Sequence, residues 1–130
     1  MLASASQLYI KMIRQAYETA GGDYAELSQK LFGAALADKK PDQRVAVKDI
    51  SALWTSAEKE LGDPFFAARI GETIHPSDYG ILGYVWMNCS NLLECFDLVV
   101  QYKKLMNDAF QAKHESTDTE FIYTVGLSGA

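Results

Sequence analysis

The chain has 130 residues, a formal charge of −5, 48% apolar residues and 22% charged residues, which is one domain's length and too apolar for disorder. The acidic balance excludes a nucleic-acid surface, because phosphate binding needs a concentrated basic face. No window reaches the roughly 18 uninterrupted apolar residues of a membrane span, and the N-terminus lacks the basic start and compact apolar run of a signal peptide.

Ser4 or Ser6 starts a first predicted helix, whose Leu8, Met12, Ile13, Ala16 and Ala20 recur at helical spacing with Tyr9 and Tyr17 on its flanks. Gly21-Gly22 stops it. Asp23 caps a short second helix with Tyr24, Leu27 and Leu31 facing inward, ending near Gly33. The run 37–47 carries charge, a proline and little periodicity, so it reads as a loop whose last residues pair as an extended segment. A third helix covers 48–61, with Ile50, Leu53, Trp54, Ala57 and Leu61 on one stripe and Gly62 closing it. Asp63-Pro64 restarts the chain as N-cap and first helical residue. Phe65, Ala68 and 70–74 then make a short, largely buried fourth helix that ends at His75-Pro76.

Ser77 or Asp78 caps a fifth helix carrying Tyr79, Leu82, Val85 and Trp86. Gly80 and Gly83 fall in its first turns, where each costs about 1 kcal/mol against alanine. Close approach of a neighbouring helix, or of a ligand, would offset that cost. Asn91 and Glu94 make a capping-box-like start to a sixth helix. Its stripe is Leu92, Cys95, Phe96, Val99 and Lys103, with Leu93, Val100 and Met106 beside it and Tyr102 near that face. After Asn107 the period becomes two: Phe110, Ala112 and His114 alternate with Gln111 and Lys113, and Phe121, Tyr123, Val125 and Leu127 alternate with Ile122 and Thr124, around a loop at 116–119. Two strands alone leave open edges and an uncovered face, so the chain is expected to stop partway through a domain.

Chemistry is harder to find. Ser56 to Lys59 matches the S-x-x-K pattern of serine acyl enzymes, but its companion elements are absent and it sits on an amphipathic helix. His75 reads as a helix-end residue donating to a carbonyl, and His114 as a half-buried strand residue. Neither has metal-ligand spacing around it. The carboxylate pairs Glu58/Glu60 and Asp118/Glu120 read as solvated charge, as do Lys39, Lys40 and Arg44, and Lys103 and Lys104. Cys89 and Cys95 fit neither a zinc site nor a disulfide framework and read as two reduced, buried thiols. No phosphate-cradling glycine motif is present. The aromatics are the suggestive set: most serve a core, and a cluster beside close-packed glycines also suits a pocket for a small organic ligand.

These residues carry a resemblance. Gly62-Asp63-Pro64, Ala68-Arg69-Ile70-Gly71-Glu72 and Pro76-Ser77-Asp78-Tyr79-Gly80-Ile81-Leu82-Gly83-Tyr84, continued by Ser90, Leu92 or Leu93, Glu94 and Tyr102, make 64–105 similar to the N-terminal, arabinose-binding-like domain of AraC/XylS-type transcription regulators. The resemblance implies a cytoplasmic regulator in which 1–130 is an effector-sensing and dimerising domain fragment. The paired helix-turn-helix units that contact DNA would lie in a C-terminal domain absent from this chain. The expected fold class is α+β and predominantly helical, with about six helices over 1–107 and a β-hairpin over 109–127. A small-molecule effector is expected against 79–102, with Tyr79, Tyr84, Trp86 and Tyr102 as candidate contacts. A homodimer is expected; no catalytic residue, metal, cofactor or membrane partner is. The competing reading is a helical protein–protein interaction module without a metabolite. An enzyme would need a pocket with perturbed ionisable groups, which no spacing here supplies.

Overall fold

The computed structural model describes residues 2–33 and 43–128. Helices α1 (Leu8–Thr19), α2 (Tyr24–Phe32), α3 (Val47–Leu61) and α4 (Phe66–Thr73) pack around one apolar core. Ile10, Ile13, Tyr17, Tyr24, Leu27, Val45, Leu53, Ala57, Phe66 and Ile70 are its buried members. Helical spacing places Ile13 and Tyr17, Leu53 and Ala57, and Phe66 and Ile70 each one turn apart, so every helix turns one stripe inward. The face of α1 is rotated from the expected one, since Ala20 is exposed and Ile10 buried. On α4, Phe65 and Ala68 are exposed and only Phe66 and Ile70 are buried.

The caps explain the boundaries. Asp23 accepts a hydrogen bond from the Glu26 N–H at 3.0 Å and starts α2. Asp63 accepts from the Phe65 N–H at 3.0 Å and from Arg69 Nε at 2.6 Å, which holds the turn between α3 and α4. Ser4 and Ser6 are not helix caps. They belong to strand β1 (Ser4–Ser6), paired antiparallel with β2 (Arg44–Ala46) in the register Ser4 to Ala46. Ser6 Oγ still accepts from the Leu8 N–H at 3.2 Å, while Gln7 holds the N-cap position. The expected extended segment is thus β2, and Lys39 and Lys40 lie outside the described residues.

A 3-10 turn (Pro76–Tyr79) precedes α5 (Ile81–Met87) and α6 (Leu92–Met106). The turn is capped by His75 rather than by Ser77 or Asp78. His75 Nδ1 accepts from the Ser77 N–H, and Asp78 Oδ2 accepts from the His75 N–H at 2.8 Å. Gly80 lies between turn and helix at φ +59, ψ −132, a conformation that L side chains rarely adopt. Gly80 therefore separates two elements where a single helix was expected. Asn91 caps α6 by accepting from the Glu94 N–H at 2.9 Å.

Strands β3 (Phe110–Ser116) and β4 (Phe121–Leu127) form the expected hairpin, in register from Phe110 opposite Leu127 to Ser116 opposite Phe121. The fold is α+β and predominantly helical, with six α-helices among the described residues. Phe96 of α6 holds the hairpin, its ring 4.9 Å from Phe121 and 4.5 Å from Tyr123 between centroids. His114, half-buried as expected, meets Asp97 Oδ1 at 2.5 Å.

Arg44 joins the two halves. Its guanidinium donates to Ser4 Oγ at 2.8 Å, to the Ser4 carbonyl at 2.8 Å and to the Leu105 carbonyl at 3.0 Å, and it pairs with Asp108 at 3.0 Å. It is a structural tie, not the solvated charge its neighbourhood suggests. Asp108 is held below the usual carboxylate range, chiefly by the hydrogen bond from Ser4 and then by Arg44. Strand β1 also bridges Ala5 to Asn107.

Candidate ligand cavity

The site begins with a missing side chain. A Cβ built on Gly83 would lie 1.6 Å from the Pro76 carbonyl oxygen and 2.4 Å from its carbon, distances that no side chain tolerates. With hydrogen alone at this position, the 3-10 turn lies directly on α5. Tyr79, at the end of that turn, then meets Trp86 at 4.8 Å between ring centroids and 58° between planes. Such tilted aromatic pairs are favourable beyond their buried area.

This pair walls a cavity of about 240 Å³. Tyr9 of α1, Leu82 of α5, Val99, Lys103 and Met106 of α6, and Phe110 of β3 complete its lining. Two of the four sequence candidates, Tyr79 and Trp86, are therefore brought together. Tyr84 and Tyr102 are not: they are 67% and 39% exposed and line no part of it. Tyr9, Leu82, Val99, Lys103, Met106 and Phe110 were not among the candidates. Tyr9 and Phe110 stand about a hundred positions apart in the chain, and no local spacing connects them.

The polar groups in this wall are unusual. The Trp86 indole N–H is buried and has no hydrogen-bond partner. The phenol of Tyr9 is pushed above its ordinary range by burial and then by Tyr79, against the pull of a hydrogen bond with Asn107. That of Tyr79 is raised by burial and then by the charge of Asp78. Both remain protonated at neutral pH. Lys103 is half-buried, not a solvated charge, and its ammonium donates to the Ala112 carbonyl at 3.1 Å.

Comparison with known proteins decides the family. The model of the arabinose-binding domain of AraC transcription regulators, N-terminal, matches residues 21–128. The chain belongs to this family. An ornithine utilization regulator of Pseudomonas aeruginosa is 27% identical over 93 residues, which cover 68% of this chain and 27% of that protein. The AraC-type domain thus corresponds to about a quarter of the length of this relative. The family is one of regulatory sensor domains, not of enzymes. No helix among the described residues is long and apolar enough to cross a membrane.

A second, larger cleft in this AraC-type domain, about 430 Å³, runs between α1 and α4. Its floor is apolar, with Met12, Ala16, Phe66 and Ile70, and its rim carries Asp63, Arg69, Glu72 and Asp78. Most of its polar groups are already engaged. Arg69 is bound to Asp63, Asp78 accepts from His75, and the Thr19 and Thr73 hydroxyls donate to the carbonyls of Gln15 and Ile70. The smaller aromatic cavity is the better candidate despite its size, because aromatic and aliphatic side chains wall it with few polar groups among them. Cys89 and Cys95 are free and half-buried, short of the full burial expected. Burial, the hydrogen bond with Cys95 and the charge of Glu94 push the Cys89 thiol up to about 11. Among the described residues, no group of three histidine, cysteine or acidic side chains could hold a metal ion.

Proposed function

We propose that 1–130 is the effector-sensing and dimerising part of an AraC-type regulator, and that a small molecule binds in the aromatic cavity between the 3-10 turn, α5, α6 and β3. The observation that carries this reading is the cavity of about 240 Å³ walled by the Tyr79–Trp86 pair, in a chain of a sensor-domain family. Binding would act through differential affinity for two arrangements of the turn, α5 and α6, and the result would pass to a DNA-binding domain elsewhere in the full regulator. Exposed Leu92, Leu93, Tyr102 and Leu105 on α6 support that helix as the surface that pairs with a second copy.

A thermal-shift screen with amino acids (ornithine included), sugars and aromatic acids tests the reading. A true effector raises the melting temperature of the wild-type chain, and the rise is lost in Val99→Phe, which fills the cavity. The second reading, an interaction module without a metabolite, is favoured by the exposed apolar surface of α5, α6 and β4. It wins if every compound leaves the melting temperature unchanged while the chain binds a protein partner through that surface.

A further inference from the structure

Cys89 and Cys95 are brought together by the junction of α5 and α6. Cys89 directly follows Asn88, the C-cap of α5, and Cys95 stands in the first turn of α6. Their thiols reach the carbonyls of consecutive residues: Cys89 Sγ donates to Val85 at 3.5 Å and Cys95 Sγ to Trp86 at 3.6 Å. The two side chains also lie within hydrogen-bond contact of each other. On the same junction, Glu94 accepts from the Ser90 N–H at 2.7 Å and Asn91 from the Glu94 N–H at 2.9 Å, which holds the connector against α6. Both thiols are free and half-buried. A disulfide forms without backbone movement only where two cysteines already face each other closely, and a capped turn with its thiols in contact is such a place.

We infer that Cys89 and Cys95 are a reversible redox pair, converted by a small-molecule disulfide into one intramolecular disulfide that fastens the end of α5 to the start of α6. The chemistry is two thiol–disulfide exchanges. The Cys95 thiolate attacks one sulfur of the small disulfide, forming a mixed disulfide and releasing one small thiol. Cys89 then gives up its proton and attacks the Cys95 sulfur, releasing the second. Two protein thiols are oxidised and one small disulfide is reduced to two thiols, with no further reactant. The order follows from Cys89, whose thiol is pushed up to about 11 by burial, by the hydrogen bond with Cys95 and by nearby charge. The part due to Cys95 vanishes once that sulfur is in the mixed disulfide. A disulfide has no S–H to donate, so the Val85 and Trp86 carbonyls each lose a partner, next to the Trp86 ring in the cavity wall. The pair therefore acts on α5 with or without a ligand in the cavity.

The test equilibrates the full chain with mixtures of oxidised and reduced glutathione, quenches with acid and weighs the products by mass spectrometry. The native chain should form the intramolecular disulfide, lighter by a pair of hydrogens. Its equilibrium constant should be at least about tenfold above that of the chain in urea, a potential about 30 mV more negative. Cys89→Ser should stop at a mixed disulfide on Cys95, and Cys95→Ser should form its mixed disulfide on Cys89 more slowly. In nuclear magnetic resonance, oxidation should move the indole N–H of Trp86, assigned by its loss in Trp86→Phe. It should spare that of Trp54, which packs on Phe66 in the helical core. Only mixed disulfides or linked dimers from the wild-type chain, or a constant no higher than in urea, would overturn the redox pair. Faster reaction at Cys89 than at Cys95 would reverse the assigned order. A disulfide that forms and leaves the Trp86 resonance in place would refute its hold on α5.

Discussion

At Gly83 a single hydrogen atom decides whether the 3-10 turn can lie on α5. Even alanine forces the Pro76 carbonyl away, since backbone is the obstacle and backbone yields poorly. Gly83→Ala should cost about 1–3 kcal/mol in urea denaturation, and Gly83→Leu more. Both should weaken the near-ultraviolet circular dichroism arising from the Tyr79–Trp86 pair. Unchanged stability in Gly83→Leu would show that the turn does not rest there. At Cys89 the prediction concerns reactivity. The thiolate is the nucleophile, and with the thiol pushed from 9.0 to about 11 it is scarce until the pH nears the higher value. Iodoacetamide should therefore label Cys89 of the native chain more slowly than the same residue in urea, with the gap closing as pH rises from 9.0 toward about 11.

Between helices, the tie among Tyr17, Glu60 and Lys30 links α1, α2 and α3. The Tyr17 hydroxyl donates to Glu60 at 2.8 Å, and Lys30 pairs with the same carboxylate at 3.1 Å. Burial, then that hydrogen bond, pushes Tyr17 up to about 12, while the bond from Tyr17 and then Lys30 hold Glu60 below its ordinary 4.5. The depressed carboxylate contributes stability that is present above 4.5 and lost as pH falls through its folded value. The raised phenol contributes stability that is present below 10.0 and lost as pH rises toward about 12. Tyr17→Phe should cost about 1–2 kcal/mol at neutral pH. The gap to wild type should narrow at both extremes, as thermal melts across pH would show. A gap independent of pH would mean that the hydroxyl does not matter. The elements themselves were largely legible: the Asp23 and Asn91 caps, the closing Gly62 and the alternation from Phe110 to Leu127 are local signals. Strand β1 was not, because Ser-Ala-Ser is too short to show a period and owes its extended form to β2 and Asn107. Nor was the cavity wall. Tyr79 and Trp86 belong to one sequence neighbourhood, whereas Tyr9, Lys103 and Phe110 reach it only through tertiary packing.

Across the whole molecule, burial is uneven. The core of α1 to α4 is closed, while Ile81 is 74% exposed on α5, Leu92 69% on α6 and Val125 54% on β4. Exposed apolar side chains on three elements suit contact with another surface, and isolated chains should bind hydrophobic dyes in their native state. Replacing Val125 and Leu127 with threonine should lower dye binding and self-association, seen by fluorescence and sedimentation, while changing stability by no more than about 0.5 kcal/mol. A large loss of stability would mean that those side chains are packed after all. The first strand has a practical corollary of its own. Residues 4–6 hold β2, receive Arg44 and bond Asp108 beyond the end of α6, so they fasten the opening of the polypeptide to its last third. A version trimmed to begin at Leu8 keeps every helix in sequence yet loses the clasp between the helical half and the hairpin, and it should come apart there first.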